Sequence, residues 1–133
     1  MLIYLDSVIC IYAVDGAPSF QARARARLAA MAAANDKPVV SDLTWLECRV
    51  KPFQLNDAVA LADMEAFLSG SDVMRVSMPP EIFERACQIR ARHNFKLGEA
   101  LHLAAAVEYG CGLFLTNDHR LSDFPDISVE VLS

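Results

Sequence analysis

Short apolar runs alternate along the chain with longer segments of helical pattern, and this alternation is the feature that most constrains the fold. The strand-like runs are residues 2–5, 38–41, 72–78, 112–116 and, more weakly, 127–132. The helical patterns between them are residues 7–15, 18–35, 42–50, 57–70, 79–93 and 99–110. Strands that alternate with helices form right-handed βαβ units and a parallel sheet covered on both faces. The sequence therefore predicts one α/β domain over residues 1–133, with three α/β/α layers and a central parallel sheet of about five strands.

The composition excludes several classes of protein. Hydrophobic residues make up 54% of the chain and charged residues 22%, which argues against disorder. Charges interrupt every apolar stretch before the roughly 20 residues that a membrane span needs. The first residues also lack the pattern of a signal peptide, so we expect a soluble cytoplasmic protein that does not enter the membrane. The formal net charge of -5 argues against nucleic-acid binding through bulk positive charge, so a polyanionic substrate would need a local source of it.

Two acidic residues directly follow predicted buried strands. Asp6 ends the run "LIYLD", and Asp118 ends the run "LFLTND". In an open parallel sheet, ligands bind at the carboxyl ends of the strands near a topological switch point, so both acids are expected at the functional edge. Burying a carboxylate is costly unless it is paired or bound to a cation. Asp6 and Asp118 are therefore the leading candidates for a cation site.

Two glutamates on predicted helices are weaker candidates for the same site. Glu47 lies in the mainly apolar segment "LTWLECRV", and Glu99 opens the segment "EALHLAAAV", where the helix dipole favours an anion. A solvated position for Glu47 and a plain first-turn role for Glu99 are the competing interpretations. Arg49 is predicted either to contact a phosphate of a ligand or to pair with an acid. His102 has the E-x-x-H spacing of di-iron bundles relative to Glu99, but no second copy exists, which favours packing or a local hydrogen bond.

An arginine-rich helix is the main basic segment of the chain. In "QARARARLAA", Arg23 and Arg27 share one helix face, and Arg25 lies nearly opposite. A solvated face is the simplest interpretation, and contact with a nucleic acid or with a protein partner is the alternative.

Four segments carry a more specific pattern, and in chain order they are "YLDS", "WLECR", "KLGEALHLAAA" and "LFLTND". Together they resemble the PIN-domain family of metal-dependent ribonucleases, especially the VapC-type toxins of bacterial VapBC toxin-antitoxin pairs. The resemblance covers essentially the whole chain. It implies a PIN-like α/β/α fold, an acidic quartet that holds Mg²⁺ or Mn²⁺, and cleavage of single-stranded or looped RNA. It also implies a cognate antitoxin protein as partner and a toxin homodimer.

The resemblance assigns individual residues to the acidic quartet. Asp6 matches the first acid of the family, Glu47 its helix-borne glutamate, and Asp118 the acid after the fourth strand. Glu99 stands where the family usually has aspartate, so its longer side chain can alter the geometry around a metal. The polar residues that the resemblance places beside the quartet are Ser7, Thr116 and Asn117.

The implied chemistry is hydrolysis of a phosphodiester, which needs an activated water and a cation to offset charge on the phosphoryl oxygens. Asp6 and Asp118 are the expected direct ligands of the ion, with Glu47 and Glu99 orienting water or holding a second ion. A dehalogenase-like phosphatase fits poorly because it needs an acid where this chain has Val8, and a receiver domain needs one where it has "SMPP". The remaining alternative is a PIN-like module that binds RNA or protein without cleaving, because Glu99 has impaired the metal site.

Overall fold

A parallel five-stranded sheet forms the centre of the molecule. The computed structural model describes residues 1–133. Its strands are β1 Leu2–Leu5, β2 Lys37–Ser41, β3 Met74–Val76, β4 Leu113–Thr116 and β5 Ser128–Val131. They lie in the order β3-β2-β1-β4-β5, and every neighbouring pair is parallel. The predicted parallel sheet of about five strands is confirmed.

Helices cover both faces of this sheet. The α-helices are α1 Ser7–Asp15, α2 Pro18–Ala33, α3 Asp42–Gln54, α4 Ala58–Leu68, α5 Pro80–Arg92 and α6 Leu97–Glu108. A 3-10 helix at His119–Asp123 follows β4. Buried residues of α1 to α4 form one core cluster with the sheet, and those of α5 and α6 form the other. This arrangement confirms the three-layer α/β/α architecture.

The central strand β1 contributes side chains to both core clusters. Side chains alternate between the two faces of a strand, so Ile3 and Leu5 enter the cluster under α1 to α4, while Tyr4 enters the cluster under α5 and α6. All three side chains are fully buried. The ring of Tyr4 stacks on that of Phe114 in β4, with centroids 5.5 Å apart. Because β1 is buried on both faces, its first charged side chain comes only where the strand ends, at Asp6.

The strand order places the ends of β1 and β4 at a topological switch point. The chain leaves β1 toward β2 on one side and later returns to β4 on the other side. The two strands end together, because the N–H of Asp6 donates to the carbonyl of Leu115 at 2.9 Å. Ligands of open parallel sheets bind beyond such a pair of strand ends. The fold therefore brings the segments that carry Asp6 and Asp118 side by side.

One helix boundary differs from the sequence-based prediction in a way that matters for the site. Helix α6 begins at Leu97, so Glu99 is its third residue and not its first. The Oε1 atom of Glu99 accepts a hydrogen bond from the N–H of Lys96 at 2.9 Å. This bond satisfies a backbone donor that the start of a helix leaves free. The glycine at position 98 disfavours helix in a sequence-based estimate, which explains the late predicted start.

Two further boundaries also differ. Helix α3 continues past residue 50 through Pro52 to Gln54, since a proline this close to the end interrupts only the last turn. Strand β3 is shorter than the run 72–78, because it is an edge strand that pairs with β2 alone. No helix of the structure combines the length and the apolar character needed to cross a membrane.

Candidate active site

Asp6 is a half-buried carboxylate at the end of β1. The Oγ1 atom of Thr116, the last residue of β4, donates to its Oδ2 at 2.7 Å. Burial raises the pKa of Asp6 above its ordinary value, and the charge of His102 and the Thr116 hydrogen bond only partly oppose this effect. The ion pairs at this edge of the sheet are formed by other acids. A bound cation would therefore relieve a charge that the protein itself leaves largely uncompensated.

Glu47 is held by a network of buried side chains from four elements. Its Oε1 accepts from Ser7 Oγ at 2.7 Å and from His102 Nε2 at 2.6 Å. Because an ionised carboxylate can only accept, Nε2 of His102 carries the proton of that bond. The Nδ1 atom of His102 lies 2.7 Å from the hydroxyl of Tyr4, which donates to Ser41 Oγ at 2.8 Å. Both ring nitrogens of His102 are thus engaged, which agrees with the predicted structural role and not with metal ligation.

The same contacts set the charge of Glu47. Burial alone would raise the pKa of this carboxyl, but the hydrogen bond and charge of His102, together with the Ser7 hydrogen bond, lower it below its ordinary value. The Glu47 side chain is 35% exposed, whereas that of His102 is 3% exposed. Glu47 is therefore an ionised carboxylate whose outer part reaches solvent at the sheet edge.

The start of α6 lies against Glu47 through a glycine. A Cβ atom added at Gly98 would sit 3.1 Å from Glu47 Oε2, closer than an ordinary contact. Any larger residue here would press on the carboxylate. Gly98 was not singled out by sequence reasoning, although a glycine in the first turn of an otherwise apolar helix is a signal of close approach.

Arg120 bridges the two remaining acids of the predicted quartet. Its Nη2 lies 2.6 Å from Glu99 Oε2 and 2.6 Å from Asp118 Oδ2, and its Nε lies 3.2 Å from both oxygens of Asp118. These contacts hold the pKa of Asp118 below its ordinary value. Sequence reasoning missed Arg120. The signal was local, because Asp118 caps the start of the 3-10 helix and accepts from the N–H of Arg120 at 2.9 Å.

The polar residues after β4 connect these groups. Thr116 donates to Asp6, and its Oγ1 accepts from the N–H of Asp118 at 3.1 Å. Asn117 points the other way, and its Nδ2 donates to the hydroxyl of Tyr12 on α1 at 2.8 Å. Thr116 therefore joins two of the predicted acids, while Asn117 fixes a neighbouring aromatic ring.

The contacts of Arg49 lie outside the acidic quartet. Its Nε lies 3.1 Å from Glu65 Oε2, and its guanidinium packs on the rings of Trp45 and Phe53, 4.6 Å and 5.2 Å from their centroids. Of the two roles predicted for Arg49, the structure shows pairing with an acid.

The four predicted acids lie at one edge of the sheet but form two pairs. The charge of Glu47 contributes to the raised pKa of Asp6, and Asp118 and Glu99 share Arg120. In this conformation, no three acidic, histidine or cysteine side chains converge to hold one ion. The donor set is all oxygen, however, and Mg²⁺ is commonly held by one or two carboxylates with water in the remaining positions. The residues present therefore fit a hard divalent cation, provided that Arg120 releases Asp118.

The largest concave surface lies elsewhere on the molecule. It sits between α2 and α4 near the opposite ends of the strands, and its lining includes Leu28, Asp36, Lys37, Phe67 and Asp72. A smaller groove adjoins Glu47, and its lining includes Ile11, Cys48, Leu55 and Met64. Parallel sheets place their ligands at the carboxyl ends of the strands, so the acidic edge and not the larger cavity is the candidate site.

Comparison with known families gives one match. The model of the PIN domain family matches residues 3–127, which is nearly the whole chain. No curated protein sequence matches the chain significantly.

Several solved structures share this fold. VapBC2 from Rickettsia felis, bound to a DNA fragment from its promoter, has a TM-score of 0.83 at 16% identity, with 100% of each chain covered. DNA-bound VapBC from Salmonella typhimurium has a TM-score of 0.71 at 19% identity, with 98% of each chain covered. VapC20 from Mycobacterium tuberculosis, a toxin that cleaves the sarcin-ricin loop, has a TM-score of 0.68 at 14% identity, covering 84% of this chain and 86% of that chain. At such identities the similarity shows the fold alone.

Replacing Tyr4 by phenylalanine tests the buried network. The ring stays in the core, but Ser41 and His102 lose a hydrogen-bond partner. We expect the free energy of unfolding to fall by about 1–3 kcal/mol in urea denaturation. Tyr109→Phe is the matched control, because its hydroxyl donates to a backbone carbonyl at an exposed position, and it should change the free energy by less than about 0.5 kcal/mol. Equal losses in both variants would contradict a special role for the Tyr4 hydroxyl.

Asp6→Asn should stabilise the metal-free protein at neutral pH. Burial raises the pKa of Asp6 on folding, so the folded state holds the proton more tightly than the unfolded state does. Above the folded pKa the ionised carboxylate therefore lowers stability, and below both pKa values this effect disappears. In EDTA, thermal midpoints should favour Asp6→Asn at neutral pH and converge with those of the parent in acid. Asp63→Asn, at an exposed acid of α4, is the control, and a more stable parent at neutral pH would refute the argument.

Proposed function

Because the chain belongs to the PIN domain family, we propose that it is a metal-dependent endoribonuclease and the toxin of a type II toxin-antitoxin system. The observation that carries the proposal is Asp6, a half-buried carboxylate that forms no ion pair and lies at the switch point of the sheet. Three further acids lie at the same edge. The VapBC complexes and the VapC20 toxin that share the fold support this assignment.

Asp6 and Asp118 are the proposed direct ligands of Mg²⁺ or Mn²⁺, with Glu47 and Glu99 orienting water or holding a second ion. When bound, the ion would lower the pKa of a coordinated water and offset charge on the phosphoryl oxygens. Thr116 keeps the Asp6 carboxylate oriented through its hydrogen bond to Oδ2. Ser7 and His102 both bind Oε1 of Glu47, which leaves Oε2 available to accept a hydrogen bond or a proton from water.

In this proposal, the ion pairs of Arg120 with Asp118 and Glu99 compete with cation binding by these two acids. Its guanidinium neutralises part of the charge of Asp118 and Glu99. The Arg120 side chain is 53% exposed, so no packing prevents it from leaving. Release of Asp118 by Arg120 is the rearrangement that binding of a cation by Asp118 requires.

A protein partner is the second part of the proposal. Helix α3, the connection that follows it and the start of α4 carry five exposed large hydrophobic side chains, which are Leu46, Val50, Phe53, Leu55 and Val59. The groove beside Glu47 adjoins this surface and is also lined largely by apolar residues. Clustered exposed apolar side chains mark contact surfaces for other proteins. We propose that a cognate antitoxin covers this surface in the cytoplasm, and that the toxin forms a homodimer.

The alternative is a PIN-like module that binds RNA or a protein without cleaving. Glu99 favours it, because one of its oxygens binds the N–H of Lys96 and the other binds Arg120. A carboxylate engaged on both oxygens is not free for a cation. Metal-dependent cleavage of RNA by the purified protein separates the two functions.

The parent protein should cleave single-stranded RNA in Mg²⁺ or Mn²⁺ and not in EDTA. Asp6→Asn should reduce the rate at least about a hundredfold, since it removes the charge that holds the cation without changing the volume. Mn²⁺ should raise the thermal midpoint of the parent and not that of Asp6→Asn. Asp63→Asn is the control for a surface acid and should keep the parental rate. Parental cleavage by Asp6→Asn would exclude the proposed role of Asp6.

Glu99 should respond to charge and to length. Glu99→Asp restores the residue usual in the family and should cleave faster, because displacements of about 1 Å can change rates roughly a hundredfold. Glu99→Gln keeps an acceptor for the Lys96 N–H but loses the charge opposite Arg120, and it should be slower or inactive. Rates are compared on one RNA at equal metal saturation. If both variants behave alike, Glu99 serves only the start of its helix.

A further inference from the structure

An aromatic pair lies next to the acidic edge. The rings of Tyr12 and Phe20 stack with centroids 4.8 Å apart and planes inclined by 14°. Phe20 is 40% exposed, and the guanidinium carbon of Arg23 lies 5.2 Å from the centroid of its ring. We call Tyr12, Phe20 and Arg23 the aromatic platform. It begins on α1 and continues on α2.

Asn117 ties the aromatic platform to the candidate site. Its Nδ2 donates to the Tyr12 hydroxyl at 2.8 Å. In sequence, Asn117 lies between Thr116, which donates to Asp6, and Asp118, which binds Arg120. The hydrogen bond therefore fixes the Tyr12 ring beside the strand end that carries the acids.

Arg23 differs from the other two arginines of its segment. Arg25 Nε donates to the carbonyl of Ala13 at 2.9 Å, and Arg27 pairs with Glu130 at 2.6 Å. Arg23 forms neither a hydrogen bond nor an ion pair with the protein, and its contact is with the Phe20 ring. A guanidinium without an anionic partner is available to an anionic ligand, and it supplies local positive charge to a chain of net charge -5.

We propose that the aromatic platform binds one nucleobase of single-stranded RNA. The base stacks on the face of Phe20 that the Arg23 guanidinium covers, and Arg23 moves from the ring to the adjacent phosphate. This inference rests on the proposed ribonuclease function and adds a contact for the nucleotide next to the cleaved bond. Exposed aromatic rings and arginine are the groups on which unpaired bases stack, and such stacking tolerates any base. The platform would therefore position RNA without selecting its sequence.

The test uses a short ribo-oligonucleotide with 2-aminopurine, whose fluorescence falls when the base stacks. All proteins carry Asp6→Asn to prevent cleavage, and binding is measured in Mn²⁺. Addition of Phe20→Leu should abolish the quenching and weaken binding about tenfold, and Arg23→Gln should weaken binding as well. The matched controls are Phe83→Leu and Arg92→Gln, at exposed positions of α5, and both should bind like the Asp6→Asn protein.

Cleavage kinetics complete the experiment in the chain with Asp6 intact. Phe20→Leu and Arg23→Gln should raise KM more than they lower kcat, and both should keep the circular dichroism spectrum of the parent. Cleavage by the parent with normal RNA binding by both variants would overturn the platform and leave the proposed function standing. Absence of any cleavage by the parent would overturn the proposed function, and the platform with it. If the variants bind RNA normally but lose self-association in sedimentation, the platform serves a second copy of the chain, and the RNA proposal is wrong.

Discussion

The hydrogen bond between Glu47 and His102 joins the two helical layers across the end of the sheet. Glu47 belongs to α3 on one face and His102 to α6 on the other, and the hydroxyls of Ser7 and Tyr4 complete the connection through the central strand. A buried polar group without a partner costs about 1–3 kcal/mol, so the network is stable only when complete. The relative positions of α1, α3 and α6 follow from it. Folding, and not a bound ion, therefore places Glu47 at the edge beside Asp6.

The pKa values of the two aspartates at this edge are shifted in opposite directions. Burial raises the pKa of Asp6, and Arg120 lowers that of Asp118. Divergent pKa values among neighbouring acids are a common property of catalytic sites, where burial and fixed charges tune each group separately. The ionised Asp6 lowers the stability of the folded protein, and a neutral side chain at this position would be more stable. Natural proteins accept such losses of stability where function needs a reactive or ligand-binding group.

The sequence was sufficient for the elements of the fold and for the strand-end acids, because both depend on short-range patterns. Apolar spacing located five strands and six helices, and Asp6 and Asp118 followed from strand ends alone. The contact of Arg120 with Glu99 and the role of Tyr12 could not be found this way, since they depend on contacts between separate segments. His102 shows the same limit. A local hydrogen bond was expected, but its partners Glu47 and Tyr4 are 55 and 98 positions away in the chain.

The guanidinium of Arg120 already lies between Asp118 and Glu99, where a divalent ion would sit if it bound both carboxylates. A divalent ion that binds both carboxylates must displace a resident cation, so its net gain is the difference between two electrostatic interactions and not the whole of one. Added monovalent salt screens the incoming ion and the resident guanidinium alike, and the two effects partly cancel. An edge built in this way is buffered against changes in ionic strength, which a cluster of unpaired carboxylates would not be.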